Sequence, residues 1–216
     1  YDLSVRRPVR VERVVRDGDR LRVESASESW TARAVVSATG KTTHWPSLPG
    51  QDAFQGRQLH SGDYTTPLWM AGDRVVVVGG GNSGAQIMAE VGPIAAEATW
   101  ATRHPPTFLP AEVDGRVLFE EATEVYQAQK EGRDPNLRYS LGDVVQVPPV
   151  REARQEGRLE RRDMFARLTP EGVVWPDGTP EPVDHVIWAT GFDPALDHLR
   201  ALNVLDEEGR APVTGT

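Results

Sequence analysis

Residues 74 to 92 read RVVVVGGGNSGAQIMAEVG, a run of valines that breaks on three glycines and then takes up helical spacing. Val75 to Val78 form a continuous apolar run, as expected of a parallel strand buried on both faces. Ala85, Ile87, Met88 and Val91 supply the inner side of a helix that stops at Gly92-Pro93. A second strand at residues 97 to 102, ending at Arg103, completes one β-α-β unit. Within it Gly79, Gly81 and Gly84 fit G-x-G-x-x-G. The first glycine permits a tight turn, the second lets the backbone approach a pyrophosphate, and the third lets the helix pack on its strand. The phosphate would sit at the helix N-terminus, where unpaired N–H groups and the helix dipole favour an anion. The alternative reading is a purely structural bend.

The second strand chooses the nucleotide. An acidic residue near its end accepts from ribose hydroxyls, whereas a 2′-phosphate calls for arginine. Here the strand ends in Arg103-His104, so Arg103 favours NADPH; otherwise it is an ordinary solvated charge.

The flanking regions differ in kind. Val9, Val11, Val14 and Val15 lead into the turn Asp17-Gly18-Asp19, and Leu21 and Val23 follow with half-exposed hairpin alternation. A third strand is expected over Ala32 to Ala38, completing an antiparallel meander. Residues 41 to 72 are rich in turn formers and read as a connector, with Trp45, Phe54, Tyr64 and Trp69 favouring an ordered binding segment. Beyond the β-α-β unit the pattern predicts a helix from Val117 to near Gly132, a strand over Val144 to Val147 and a hairpin from Phe165 to Trp175. A strand over Val183 to Trp188 and a short helix around Leu196 to Leu202 follow. Ala-Thr-Gly recurs at 38 to 40 and 189 to 191, each time after an apolar run.

Composition narrows the partners. A net charge of −8 argues against a general nucleic-acid or anionic-membrane surface and leaves small molecules. The absence of cysteine removes disulfides, thiolate metal sites and a redox-active cysteine pair. The five histidines are scattered without zinc-site pairing, so no metal is expected. Neither a signal peptide nor a spanning segment is visible at the start, and a cytoplasmic location is the default expectation. Tyr126 and Lys130 have the spacing of a short-chain dehydrogenase pair, but they lie too soon after the glycine turn and read as a solvated helix face. Glu120, Glu121 and Glu124 with Lys130 and Arg133 read as an exposed face too.

Several stretches together resemble one family. Phe54-Gln-Gly56-Arg-Gln-Leu-His60-Ser-Gly-Asp-Tyr64 is similar to the Phe-x-Gly-x-x-x-His-x-x-x-Tyr fingerprint of flavin-containing monooxygenases, and it stands just before the second dinucleotide motif, as in that family. Gly79-Gly-Gly81-Asn82-Ser83-Gly84 resembles its NADPH loop, and the two Ala-Thr-Gly segments look like its crossings between FAD-binding and NADPH-binding domains. Arg103 to Pro110 and Val147 to Ala153 further resemble flavoproteins of arsenic-resistance operons.

The resemblance implies that NADPH delivers hydride to FAD, and that reduced flavin takes up O₂ as a hydroperoxide that oxygenates a small nucleophilic substrate. The implied cofactor contacts are Gly79, Gly81, Asn82, Ser83, Gly84 and Arg103 for NADPH, Thr39 and Gly40 for FAD, and Thr190 and Gly191 on the NADPH side of the hinge. His60 and Tyr64 are the implied catalytic-segment residues, His60 positioning linker and nicotinamide; a structural role for His60 stands beside this. Tyr64 occupies the place of the tryptophan expected in Baeyer–Villiger enzymes, which favours heteroatom oxygenation over ketone insertion.

The expected fold is α/β: a parallel, doubly wound, Rossmann-like NAD(P)H domain (73–191), preceded by a β-meander from a partial FAD domain (1–40) and a linker (41–72), and followed by a segment returning toward the FAD domain (192–216). The family's own FAD loop falls outside these residues, so the expectation is an internal portion of a larger flavoenzyme that binds FAD poorly by itself. Two alternatives remain: a reductase without oxygenation, and a non-catalytic NADPH-sensing module.

Overall fold

The structure is a computed structural model that describes residues 5–113, 115–140 and 142–212. Strands β1 (Val11–Asp17), β2 (Arg20–Ser25) and β3 (Ser29–Ala32) open the chain, then β4 (Lys41–Thr43) and β5 (Arg57–His60). Next come β6 (Arg74–Val78), helix α1 (Asn82–Val91), β7 (Glu97–Thr102), α2 (Gly115–Glu131) and α3 (Pro148–Gln155). The remainder holds β8 (Arg161–Asp163), β9 (Arg167–Thr169), β10 (Gly172–Val174), β11 (Pro180–Pro182), β12 (His185–Trp188) and β13 (Phe192–Pro194). The chain divides into two compact units, residues 1–42 with 192–216, and residues 43–191.

In the larger unit five parallel strands lie in the order β5-β12-β6-β7-β8. The valines of β6 alternate between its two faces: Val75 and Val77 join α1 and α3 in one core, and Val76 and Val78 join Phe165, Trp175 and Trp188 in the other. That alternation is why an uninterrupted apolar run suits this strand, since each fully buried valine contributes roughly 1.5–3 kcal/mol. Helices cover the first face. The second carries the antiparallel meander β9-β10-β11 in place of helices.

The N-terminal ends of three neighbouring strands are latched together. Asp184, preceding β12, accepts from the Arg74 main-chain N–H at 2.9 Å, from its Nε at 2.9 Å and from its Nη2 at 2.7 Å. The Asp184 carbonyl accepts from the Arg57 N–H that opens β5, and His185 Nε2 lies 2.7 Å from Asp73 Oδ2. The Arg74 guanidinium holds the Asp184 carboxyl down at about 2.

The smaller unit contains the antiparallel sheet β1-β2-β3 and the two-stranded ribbon of β4 with β13. Its third strand corrects the expectation of Ala32 to Ala38. The tight turn in which Ser25 N–H donates to Glu28 O starts the return pairing at Ser29, with Trp30 opposite Val23. The strand therefore ends at Ala32, and Val36 is 92% exposed.

Two further expectations are corrected. The predicted strand over Val144 to Val147 reduces to a single parallel bridge between Val144 and Phe108, because Pro148 and Pro149 start α3 with Val147 as its N-cap. Glu121 is 3% exposed rather than part of a solvated face; it accepts from Arg138 N–H at 3.0 Å and Nε at 2.9 Å. The connector over 41 to 72 contributes β5 to the main sheet.

Candidate functional site

The glycine turn lies where the strand order reverses: from β6 the chain steps outward to β7 on one side, and β12 is inserted on the other. Open α/β sheets bind ligands at such points, beyond the carboxyl ends of the strands. Gly79 has φ +126°, and a Cβ there would stand 2.2 Å from Ala189 O, so the turn is pressed against the end of β12. Its N–H donates to Ala101 O, and its carbonyl accepts from Trp100 Nε1 at 2.8 Å. A Cβ on Gly84 would stand 2.0 Å from Gly79 O, which brings the first turn of α1 down onto the bend. Gly81 is different: nothing lies within 4 Å of the Cβ it lacks. Internal packing explains the first and third glycines, whereas the second is the N-cap of α1 and leaves its backbone open to the cleft.

A cleft of about 440 Å³ opens there. Its floor is Val78 to Gly81, its walls are Arg103 to Thr107 and Gly142-Asp143, and its rim is Ala189-Thr190 with His44 and Pro46. Thr190 Oγ1 donates to His44 O, and His44 N–H donates to Gly191 O at 3.2 Å, which ties the segment after β12 to the one leading into β5. Arg103 is exposed and makes no ion pair among the described residues. The first-turn N–H groups of α1 have no side-chain cap. The cleft thus joins a helix N-terminus, an open glycine and a free guanidinium, a set suited to an anionic dinucleotide.

Of the residues expected at the site, Gly79, Gly81, Arg103 and Thr190 line the cleft. Asn82, Ser83 and Gly84 form the first turn behind it, Ser83 exposed and Gly84 buried. Gly191 sits just past the rim. Thr39 and Gly40 belong to the smaller unit, where Thr39 Oγ1 and the Gly40 carbonyl bond to Ala195.

His60 and Tyr64 do not line the cleft. His60 is fully buried at the end of β5, its Nδ1 accepting from Gly62 N–H at 3.0 Å and its ring 5.7 Å from that of Trp45. Tyr64 donates to Glu90 Oε2 on α1 at 3.0 Å; burial, then the Glu90 carboxylate, pushes its phenol well above the usual range. Tyr126 is 67% exposed on α2. The walls at Pro105 to Thr107 and Gly142-Asp143 escaped sequence reasoning. The one available signal was Val144, whose apolar neighbourhood marked a strand where the structure makes a bridge.

A parallel sheet that turns through G-x-G-x-x-G at its switch point is the arrangement of dinucleotide-binding folds. The chain belongs to the pyridine nucleotide-disulphide oxidoreductase family, whose model matches residues 1–132. A flavin-containing monooxygenase from Stenotrophomonas maltophilia superposes with a TM-score of 0.81 at 46% identity, over 97% of this chain and 58% of that one. An uncharacterized CzcO-like oxidoreductase of Geobacillus kaustophilus is 26% identical over 97% of this chain and 61% of its own length. Mouse dimethylaniline monooxygenase (N-oxide-forming) 2 is 26% identical over 76% of this chain. The chain therefore resembles flavoprotein monooxygenases and spans about three-fifths of the first of these relatives. With no cysteine, it contributes no dithiol of the kind the family name describes. Among the described residues no helix is long and apolar enough to cross a membrane.

Proposed function

We propose that the cleft binds NADPH and that the protein works as an NADPH-dependent flavoprotein monooxygenase in the cytoplasm. The observation that carries this reading is Gly81: a position with open space where its Cβ would be, on a turn that leads straight into a helix N-terminus beside Arg103. The main-chain N–H groups of the turn and of Asn82 and Ser83 would hold the pyrophosphate, and Arg103 the 2′-phosphate. Thr190 and Gly191 would guide the chain past the nicotinamide side, and Thr39 and Gly40 would approach FAD. Residues 73–191 form the nucleotide domain in this reading, with 41–72 as linker and 1–40 and 192–216 on the flavin side.

When bound, NADPH supplies hydride and FAD the place where O₂ is activated, for oxygenation of a small nucleophilic substrate. The chain's own contribution is placement. His60, with Nδ1 held by Gly62, fixes the turn after β5, and Tyr64 ties that turn to α1 through Glu90. Both act as positioning residues, and the Tyr64 phenol stays protonated at neutral pH.

The test has two parts. Calorimetric titration with NADP⁺ and NAD⁺ is expected to give saturable binding that favours NADP⁺, and no saturable binding of either refutes the reading. With FAD loaded, O₂ uptake is expected to track NADPH oxidation and to rise with a thioether or amine substrate. NADPH oxidation that passes electrons onward without O₂ uptake identifies a reductase instead.

A further inference from the structure

The cleft needs two walls, and the one at Gly142-Asp143 is supplied by a segment far from the glycine turn in sequence. Asn82, the first residue of α1, joins the two. Its Nδ2 donates to Asp143 O at 3.0 Å, and its Oδ1 accepts from Val145 N–H at 2.7 Å. The side-chain amide thereby pairs with that segment much as a neighbouring peptide group would in a sheet. The same segment is stitched to the other wall. Val144 N–H donates to Thr107 O at 2.8 Å, Leu109 N–H to Val144 O at 2.9 Å, and Gln146 Nε2 to Leu109 O at 2.6 Å. Val144 itself is fully buried.

Few side chains can do what Asn82 does. The pairing requires a donor and an acceptor on one short planar group, which aspartate, serine and threonine do not present together at that reach. Glutamine adds a methylene and shifts both.

We infer that Asn82 is a positioning residue for the nucleotide: its main chain belongs to the helix start that faces the cleft, while its side chain suspends residues 142–145 as the second wall. The inference rests on the nucleotide-binding reading above and adds a residue that acts through the wall rather than by contact. The wall serves any dinucleotide in the cleft, so its loss weakens NADP⁺ and NAD⁺ alike. Arg103, by contrast, acts only on the nucleotide that carries a 2′-phosphate.

The experiment compares Asn82→Ala with the unaltered chain by NMR-detected amide hydrogen exchange without nucleotide and by calorimetric titration with NADP⁺ and with NAD⁺. The expected result is faster exchange at Val145, unchanged exchange in the middle of α1, and affinities for both nucleotides lowered by a similar factor, on the order of tenfold for two lost hydrogen bonds. Weaker binding with Val145 exchange unchanged means that the side chain touches the nucleotide directly and overturns the inference. Faster exchange with both affinities unchanged overturns it as well, because the wall then has no part in binding. Should Asn82→Ala fail to fold, Asn82→Gln keeps the amide but displaces its donor and acceptor by a methylene without adding charge beside the diphosphate, and faster Val145 exchange with weakened binding of both nucleotides is expected. An unaltered chain that binds neither nucleotide brings down the nucleotide reading and this inference together, whereas binding by the unaltered chain confines any failure to Asn82.

Discussion

Gly81→Ala separates folding from binding. Gly81 is the N-cap of α1 with φ −94° and ψ −171°, extended backbone that alanine adopts without strain. The added methyl meets nothing within 4 Å. Two small folding effects then oppose each other: alanine is a poorer N-cap than glycine by under about 1 kcal/mol, and it restricts the unfolded chain by about 0.4–1 kcal/mol. The net change in stability is expected within about 1 kcal/mol, a shift of roughly 2–4 °C in Tm for a chain of this size. The same methyl, however, stands in the cleft where a pyrophosphate must approach the backbone. Overpacking of this kind costs roughly 1–3 kcal/mol, so NADP⁺ affinity is expected to fall about 5- to 150-fold. Gly84→Ala provides the contrast: its methyl would lie 2.0 Å from Gly79 O and 3.2 Å from Trp100 Nε1, and stability itself should drop. Thermal unfolding and calorimetric titration on both variants read the two effects. A folded Gly81→Ala protein that binds NADP⁺ as tightly as the unaltered chain would refute the reasoning, since the turn would then not be where the diphosphate lies.

Three further outcomes are expected. Arg103→Ala should raise the KM for NADPH far more than for NADH; equal effects on the two would remove Arg103 as the 2′-phosphate contact. Asp184, held by Arg74, has its carboxyl depressed from an ordinary 3.8 to about 2, so its contribution to stability is present above pH 4 and lost as pH falls toward 2. Asp184→Asn should flatten that part of the acid limb in a stability-against-pH series, and an unchanged limb would show that other carboxylates set it. Arg138→Ala strips the buried Glu121 carboxylate of its guanidinium partner while sparing the main-chain donor, and urea unfolding should register a loss of about 1–3 kcal/mol.

Legibility followed burial. The strand of four valines, the helix after it and the strands at 97–102 and 185–188 were readable because each is buried on at least one face and carries the matching period. Strands β5 and β8 were not: Arg57 to His60 and Arg161 to Asp163 run along the two edges of the sheet, where one flank is solvent and charged residues are tolerated. The same logic governs the site. The glycine turn is local, so its spacing is written in adjacent residues. The Gly142-Asp143 wall depends on Asn82 reaching 61 residues along the chain, and Asn82 read as a ligand contact because nothing nearby shows what its amide meets. Glu121 misled for the reverse reason: three glutamates on one helix look solvated until Arg138 folds back over one of them.

The sheet keeps its fastening and its chemistry at opposite ends. The Arg74–Asp184 ion pair and the hydrogen bonds that bind β5, β12 and β6 to one another sit where those strands begin, and the glycine bend sits where they finish, four or five residues later. At about 3.3 Å per residue that is roughly 13–17 Å, well beyond the ~8 Å over which salt at physiological strength screens exposed charges. Charges rearranged around Arg74 and Asp184 are felt as rigidity and scarcely as electric field at the nucleotide. Someone hardening this protein against heat or acid can therefore work on the strand origins without retuning cofactor choice, and someone altering cofactor choice around Arg103 leaves the fastening untouched.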